Sequence, residues 1–143
     1  MNHAQLAVAA VIELARCERD AEPGTFKPVP HEVFSKRLLG NDRGFQEQFQ
    51  SLRRAGILHG KRGPGGGYRL AMSPSKLRLS DIFRILRPDG DGYAFDSALG
   101  LPELLITFEA FTKASDAFTT HLDRVTVADA LARIPKRVPR DRP

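Results

Sequence analysis

The chain has 143 residues, of which 41% are hydrophobic, and this suffices for one ordinary domain with a packed core. No apolar run approaches the roughly 20 residues that a membrane-spanning helix needs. No basic segment precedes an apolar stretch at the N-terminus, so the sequence predicts neither a membrane partner nor a secretory signal. A single cysteine, Cys17, cannot form a disulfide within the chain, which favours the reducing environment of the cytoplasm.

Positive charge is concentrated in two stretches of the chain. The formal charge is +5, and residues 41–69 hold six basic and two acidic residues, a net of +4. Residues 134–143 carry a further +3, which leaves −2 for the rest. Such clustering is typical of a protein that binds nucleic acid, although a solvated surface run gives the same pattern.

Two helices are predicted in the first third of the chain. Residues 4–19 are rich in Ala and Leu, and Leu6, Ala10, Leu14 and Cys17 follow helical spacing. Prolines 28 and 30 keep the next segment extended, and a short helix over 31–39 follows them. Residues 40–42 are predicted to form a turn.

A third helix is predicted over residues 43–55, ending at Gly56. Phe45, Phe49 and Leu52 form its apolar stripe. Its other side is polar and has the chemistry to read base edges, because Gln pairs with adenine, Glu accepts from cytosine and Arg donates to guanine. An ordinary solvated helix face is the alternative. The candidate DNA-reading residues are Arg43, Gln46, Glu47, Gln50 and Arg54.

Two short strands, 57–61 and 68–71, are predicted on either side of a glycine-rich turn at 63–67. Such a turn lets a long basic side chain enter the narrow minor groove, whose negative potential attracts Arg. A phosphate-cradling loop is disfavoured, because no Lys-Ser or Lys-Thr follows the glycines and a strand follows them instead of a helix. The candidate DNA-binding residues of this hairpin are Lys61, Arg62, Gly63, Gly65 and Gly66.

The remaining chain is predicted to be helical up to a basic tail. A helix over 80–86 is expected with Ser80 as its N-cap, then a loop, a long helix over 102–124 and a short helix over 126–133. The predicted organisation is a DNA-binding domain (1–87), a loop (88–100), a helical dimerisation segment (101–133) and a disordered tail (134–143).

The long helix carries apolar residues with the 4-3 spacing of a helix that packs along another helix. This pattern predicts a homodimer, and the alternative is that the stripe faces the core of its own chain. The candidate dimerisation residues are Leu101, Leu104, Phe108, Phe111, Phe118 and Leu122.

Helix, tight turn, helix and hairpin is the winged-helix arrangement, so the expected fold is mainly α with a small β-hairpin wing. The sequence RGPGGGYRL at 62–70, LRRAGIL at 52–58 and VTVADAL at 125–131 resemble the bacterial regulator family that includes IscR, NsrR and CymR. The resemblance implies a winged helix-turn-helix, a long dimerisation helix and operators with two-fold symmetry. It also implies that Arg62 is the minor-groove residue of the wing.

Two departures from that family affect the expected function. The recognition helix of relatives usually begins Ser-Tyr-Leu-Glu-Gln, whereas residues 43–47 read RGFQE, so we expect a different target sequence. The iron–sulfur members carry three cysteines between the short helix and the dimerisation helix, and residues 87–101 contain none. We therefore predict no cluster and no other cofactor.

Other residues suggest weaker hypotheses. Cys17 is interpreted as a small core residue, with a redox-sensing thiol as the alternative. The four histidines have no metal-ligand spacing, so no metal site is predicted. The acidic loop with Asp89, Asp91 and Asp96 stands where relatives hold their sensor, so it is a candidate site for an unknown small-molecule or protein effector.

The sequence thus predicts a cytoplasmic, homodimeric transcription regulator that binds double-stranded DNA, with repression favoured over activation. The alternative is a winged-helix module that binds a protein partner and does not read DNA. An enzyme is not expected, because no nucleophile–base set, catalytic carboxylate pair or cofactor loop was found.

Overall fold

A computed structural model describes residues 3–38, 42–86 and 102–136. The predicted loop over 88–100, the turn residues 40–41, Leu101 and the last seven residues of the tail lie outside the described residues. The elements in chain order are α1 (His3–Asp20), α2 (His31–Leu38), α3 (Asp42–Arg54), β1 (Leu58–Lys61), β2 (Gly67–Leu70), α4 (Leu79–Leu86), α5 (Pro102–Asp123) and α6 (Val127–Ala132). Helix, helix and hairpin form the predicted winged helix-turn-helix, and the mainly α fold is confirmed.

The apolar core lies between α1, the α2–α3 pair, α4 and α6. Leu6, Ala10 and Leu14 of α1 are buried in it, as their spacing predicts. Cys17 is only half-buried, and its thiol donates to the Glu13 carboxylate (3.7 Å). The interpretation of Cys17 as a core residue is therefore wrong, because this side of α1 carries charged residues. The largest fully buried side chains are Phe34, Phe49, Leu14, Leu52, Leu58, Leu77, Ile82, Val11 and Val127.

Helix α3 ends at Arg54, one residue before the predicted end, and Gly56 terminates it as the sequence predicts. The amide of Gly56 donates to the carbonyl of Arg53 and the amide of Ile57 donates to that of Leu52, both at 3.0 Å. These two bonds form a Schellman motif, which needs a left-handed residue at its turn, and Gly56 has a φ of 80°. The chain then enters β1 directly, so the hairpin is fixed closely to the end of α3.

The wing is an antiparallel hairpin whose register pairs Leu58 with Leu70 and Lys61 with Gly67. Val29 extends it as a one-residue third strand, exchanging two backbone hydrogen bonds with Tyr68 (2.8 and 2.9 Å). The extended segment between the two prolines thus joins the entrance of α2 to the wing.

Helix α4 begins one residue earlier than predicted, so the assignment of Ser80 as its N-cap is wrong. Ser80 lies inside the helix and is buried. The Asp81 carboxylate instead accepts from the backbone amide of Arg78 (3.0 Å), and the amide of Leu79 donates to Val125 (2.9 Å). These contacts satisfy the amides of Arg78 and Leu79 and start the helix at Leu79, so Ser80 lies in its first turn and not before it.

The corner between α5 and α6 is attached to the segment before α4. Beyond the Leu79–Val125 bond, the amide of Val127 donates to Leu77 (2.8 Å). Helix α6 starts with a capping box, in which Thr126 and Asp129 each accept from the other's backbone amide (3.0 and 2.9 Å). These bonds seat the last helix on the winged domain.

The guanidinium group of Arg19 holds the beginning of the tail. It donates to the carbonyls of Leu131 (3.0 Å), Ile134 (2.9 Å) and Pro135 (3.3 Å). The chain that leaves α6 therefore runs beside the C-terminal end of α1 as far as Pro135. Within the described part of the chain, no helix has the length and apolarity to cross a bilayer.

Candidate nucleic-acid interface

The solvent face of α3 carries most of the candidate base-reading residues. Gln46, Glu47, Gln50 and Arg54 are all exposed, while Phe49 and Leu52 on the opposite face are buried. Arg43 lies in the first turn of α3, and its side chain is outside what the structure describes. The helix therefore presents four of the five predicted side chains together on one surface.

The wing presents the second group of candidates. Lys61, Arg62, Gly63 and Gly65 are exposed, and Gly66 is half-buried. A Cβ atom at Gly66 would lie 2.2 Å from the carbonyl oxygen of Lys61 and 2.7 Å from that of Gly63. The amide of Gly66 also donates to the Gly63 carbonyl (2.9 Å). Only glycine fits this position, so the tight tip that follows Arg62 depends on it.

A groove of about 420 Å³ separates the wing from the helices. One wall contains Gln50 of α3, and the other contains Lys61 and Arg62 together with the candidate glycines Gly63, Gly65 and Gly66. The N-terminal end of α2 closes the groove with His31. The structure thus brings one base-reading candidate and all five wing candidates to the same groove, while Gln46, Glu47 and Arg54 line the adjoining outer face of α3.

Gln46 is connected to α2 through a histidine. The Nδ1 atom of His31 lies 3.4 Å from the Glu32 carboxylate, and its Nε2 atom lies 3.4 Å from the amide nitrogen of Gln46. Because an amide nitrogen can only donate, the Nε2 atom of His31 is the acceptor in this contact.

The exposed cations of this region are not all directed at the groove. Arg53, Lys61 and Arg62 line it, and Arg54 lies on the adjoining face. Arg69 of β2 instead pairs with Glu18 of α1 (3.6 Å) and lies over the ring of Phe26 (5.7 Å). Alternation along the strand sends this side chain to the back of the wing, so the basic stretch of the sequence contributes less charge to the groove than its count suggests.

Helix α5 leaves large apolar side chains exposed. Phe111 is 37% exposed and Phe118 is 44% exposed, although the ring of Phe118 also packs edge-on against Phe83 of α4 (5.0 Å). Leu122, nearer the corner, is half-buried. The side chains of Leu104 and Phe108 are not among those described, and Leu101 lies outside the described residues. Phe118 thus packs partly within its own chain near the corner, and Phe111, two turns earlier, is also partly exposed.

The model of the Rrf2 family, of iron-dependent transcriptional regulators, matches residues 2–133. This chain belongs to the Rrf2 family. The IscR regulator of Cereibacter sphaeroides is 49% identical over 76 residues, which are 53% of this chain and 46% of that protein. The IscR of Aliivibrio salmonicida is 40% identical over 77 residues, 53% of this chain and 42% of that protein. The match thus spans less than half the length of these relatives.

Two solved structures show the same Rrf2 fold over nearly the whole chain. Oxidized CymR of Staphylococcus aureus superposes with a TM-score of 0.70 at 19% identity, covering 94% of this chain and 97% of that one. IscR of T. potens superposes with a TM-score of 0.67 at 24% identity, covering 96% and 92%. The family resemblance expected from the wing motif is confirmed.

The residues of this Rrf2 chain do not fit an iron–sulfur cluster. Cluster ligation needs several thiolates, and Cys17 is the single cysteine of the chain. Its thiol is half-buried on α1 and donates a hydrogen bond to the Glu13 carboxylate. Among the described residues, no three His, Cys, Asp or Glu side chains form a group that could hold a metal ion. Asp89, Asp91 and Asp96 lie outside the described residues, and carboxylates do not replace three thiolates.

Sequence reasoning missed several side chains that line the groove, among them His31 and Arg53. Arg53 had a detectable signal, because Gln46, Gln50 and Arg53 follow i, i+4, i+7 spacing and so share one helix face. His31 had none, since its place beside Gln46 depends on how α2 packs against α3.

Proposed function

We propose that this protein is a homodimeric, sequence-specific DNA-binding transcription regulator that acts as a repressor on an inverted-repeat operator. Helix α3 enters the major groove, and the wing reaches the adjacent minor groove. The observation that carries the proposal is the groove whose two walls are the exposed face of α3 and the basic wing tip. A helix fits the width of a major groove, and the wing is displaced from it as a second contact should be.

The charges of this surface support DNA as the partner. Arg53, Arg54, Lys61 and Arg62 are exposed on or beside the groove. Each cation that neutralises a phosphate releases a condensed counterion, which supplies affinity that does not depend on sequence. Base contacts from Gln46, Glu47 and Gln50 would then add the discrimination between sequences.

Arg62 is proposed as the minor-groove residue. It precedes a tip made of small residues, so its long side chain can extend while the backbone stays clear of the sugar-phosphate chains. Rigidity matters here, because an arginine held by a fixed turn loses less entropy on binding. The hydrogen bond from the Gly66 amide to the Gly63 carbonyl (2.9 Å) contributes to that rigidity.

A homodimer through α5 is proposed from the exposed phenylalanines. Apolar side chains at heptad spacing are stabilised when a second helix covers them, and here a second copy of α5 offers the same stripe. Two recognition helices separated by roughly 34–36 Å can read successive turns of DNA, which explains an inverted-repeat site.

Repression without an iron–sulfur cluster completes the proposal. A compact dimer on promoter DNA blocks polymerase by occupying its site, and the chain offers no set of thiolates for a cluster. Such a protein acts in the cytoplasm, where bacterial DNA is found. Its inducing signal would be a small molecule or a protein effector.

The proposal is tested by selecting bound fragments from the source genome with the wild type and with Arg62→Ala. We expect the wild type to enrich an inverted-repeat site and Arg62→Ala to lose most of that enrichment. Binding that is weak, independent of sequence and indifferent to Arg62 would contradict the proposal, and would favour a module that binds a protein partner.

A further inference from the structure

The amide of Gln50 has a fixed orientation. Its carbonyl oxygen accepts a hydrogen bond from the Nε atom of Arg53, one turn further along α3 (3.2 Å). A guanidinium group carries only donors, so the amide atom that faces it must be the oxygen. The amide nitrogen of Gln50 is therefore the end that remains available at the groove, and it can only donate.

The wing holds Arg53 in this position. A Cβ atom at Gly60 of β1 would lie 3.1 Å from the Cδ atom of Arg53 and 3.5 Å from the Cε1 atom of Tyr68. The aliphatic stem of Arg53 thus crosses β1 at the one strand position that has no side chain, beside the Tyr68 ring. Because the stem is packed there, its bond to Gln50 is part of the contact between α3 and the wing.

This orientation changes which base Gln50 can read. A glutamine with a free amide pairs with adenine twice, accepting from N6 and donating to N7. Arg53 occupies one of the two lone pairs of that oxygen and holds it toward the contact between α3 and the wing, so Gln50 presents its NH2 group to a base. Adenine would place its own N6 amino group beside that donor. Guanine instead presents two neighbouring acceptors, N7 and O6.

We propose that Arg53 is a specificity-determining positioning residue, which fixes Gln50 as a donor and makes it select guanine over adenine at one position of each half-site. The inference rests on the proposed function, because it assigns a base preference to a helix that reads DNA. Arg53 acts through Gln50, and its own charge adds an affinity that does not depend on that base.

The test is selection from a random double-stranded DNA library with four proteins: the wild type, Gln50→Ala, Arg53→Met and Arg54→Met. Gln50→Ala identifies the position that Gln50 reads, because the preference there disappears. At that position the wild type is expected to favour guanine over adenine by at least about fivefold. Arg53→Met frees the amide oxygen, so the ratio of guanine to adenine at this position is expected to fall to one or below.

Arg54→Met is the matched control, because it removes the same charge from the neighbouring exposed residue. It is expected to weaken binding to all sequences while leaving the ratio of guanine to adenine unchanged. Gly60→Val displaces the stem of Arg53 without removing a charge, and is expected to lower the ratio as Arg53→Met does. Gly60 does not have a left-handed φ, so the strand accepts a valine.

Several results would overturn the inference while the proposed function stands. Gln50→Ala could leave the base preference at every position of the site unchanged. The wild type could favour adenine at the position that Gln50 reads, or Arg53→Met could keep the preference for guanine there. Failure of the proposed function is distinguishable, because the wild type would then enrich no sequence at all.

Discussion

The glycines of the wing tip are expected to differ sharply in what an alanine does to them. Gly66→Ala places a Cβ atom 2.2 Å from the Lys61 carbonyl oxygen, and relief of that contact to ordinary distance requires the two to separate by roughly 1.2 Å. The hairpin must then give up the 2.9 Å bond from Gly66 to Gly63, a loss of about 1 kcal/mol, with strain of similar size. A Cβ atom at Gly65 would meet no other atom within 4 Å. An alanine there only has to adopt a φ of 73°, which costs about 1 kcal/mol.

The consequence for DNA binding follows from the two wings of a dimer. A distorted tip that misplaces Arg62 is expected to lose about 1 kcal/mol per wing, or about 30-fold in operator affinity for two wings. Gly65→Ala keeps the tip geometry and is expected to lose less than about fivefold. The free energy of unfolding should fall by about 2 kcal/mol in Gly66→Ala and about 1 kcal/mol in Gly65→Ala, and both proteins should stay folded, because an exposed hairpin tip can distort locally.

The assay is fluorescence anisotropy with a labelled operator, together with urea unfolding of both variants. Equal operator affinities for Gly66→Ala and Gly65→Ala would refute the reasoning. So would a Gly66→Ala protein that loses its fold, because the affinity loss would then not come from the wing.

Four further predictions concern the rest of the molecule. Phe111→Asp should place a charge in the apolar stripe of α5, so sedimentation should show monomers and operator affinity should fall with dimerisation; unchanged affinity in a monomer would contradict the dimer. Thr126→Ala should lower the free energy of unfolding by about 1 kcal/mol in urea titration, because it removes the α6 cap, and no change would show that the capping box is not stabilising. Hydrogen bonding by the Thr126 backbone amide lowers the pKa of Asp129. The contribution of Asp129 to the free energy of unfolding should therefore be complete at neutral pH and be lost as the pH falls through that lowered pKa. Asp129→Asn should lack this acid-dependent part of the stability. Reconstitution with iron and sulfide should yield no stable visible chromophore, and one at stoichiometric iron would overturn the argument from the donor set.

The helices and strands were predictable because their local signals agree with their packing. The apolar stripe of α3, its glycine stop and the glycine-rich hairpin tip each restrict the chain within a few residues, and their limits differ from the prediction by one residue at most. Ser80 shows where local signals fail. Its place before an apolar run resembles an N-cap, but the neighbouring amide of Leu79 is bonded to Val125, almost fifty positions away in the chain.

The candidate interface was predictable as a set of residues but not as a network of contacts. The sequence indicates that Gln50 faces solvent, yet the bond from Arg53 to its carbonyl oxygen depends on the close approach of α3 to Gly60. In the same way, the sequence counts Arg69 with the basic stretch, and the structure pairs it with Glu18 behind the wing. Pairing between distant elements decides which polar atoms remain available for a ligand, and no local pattern carries that information.

The central claim is that α3 and the wing of each protomer read one half of a two-fold operator. The most direct measurement is the affinity of the wild type for a selected inverted repeat, compared with the same DNA after one half-site has been scrambled. The account predicts that scrambling weakens binding by at least about 30-fold at fixed salt, since several base contacts worth about 1 kcal/mol or more each are lost. Equal affinity for both DNAs, with only a steep dependence on salt, would contradict it and leave non-specific phosphate contacts as the whole of the binding.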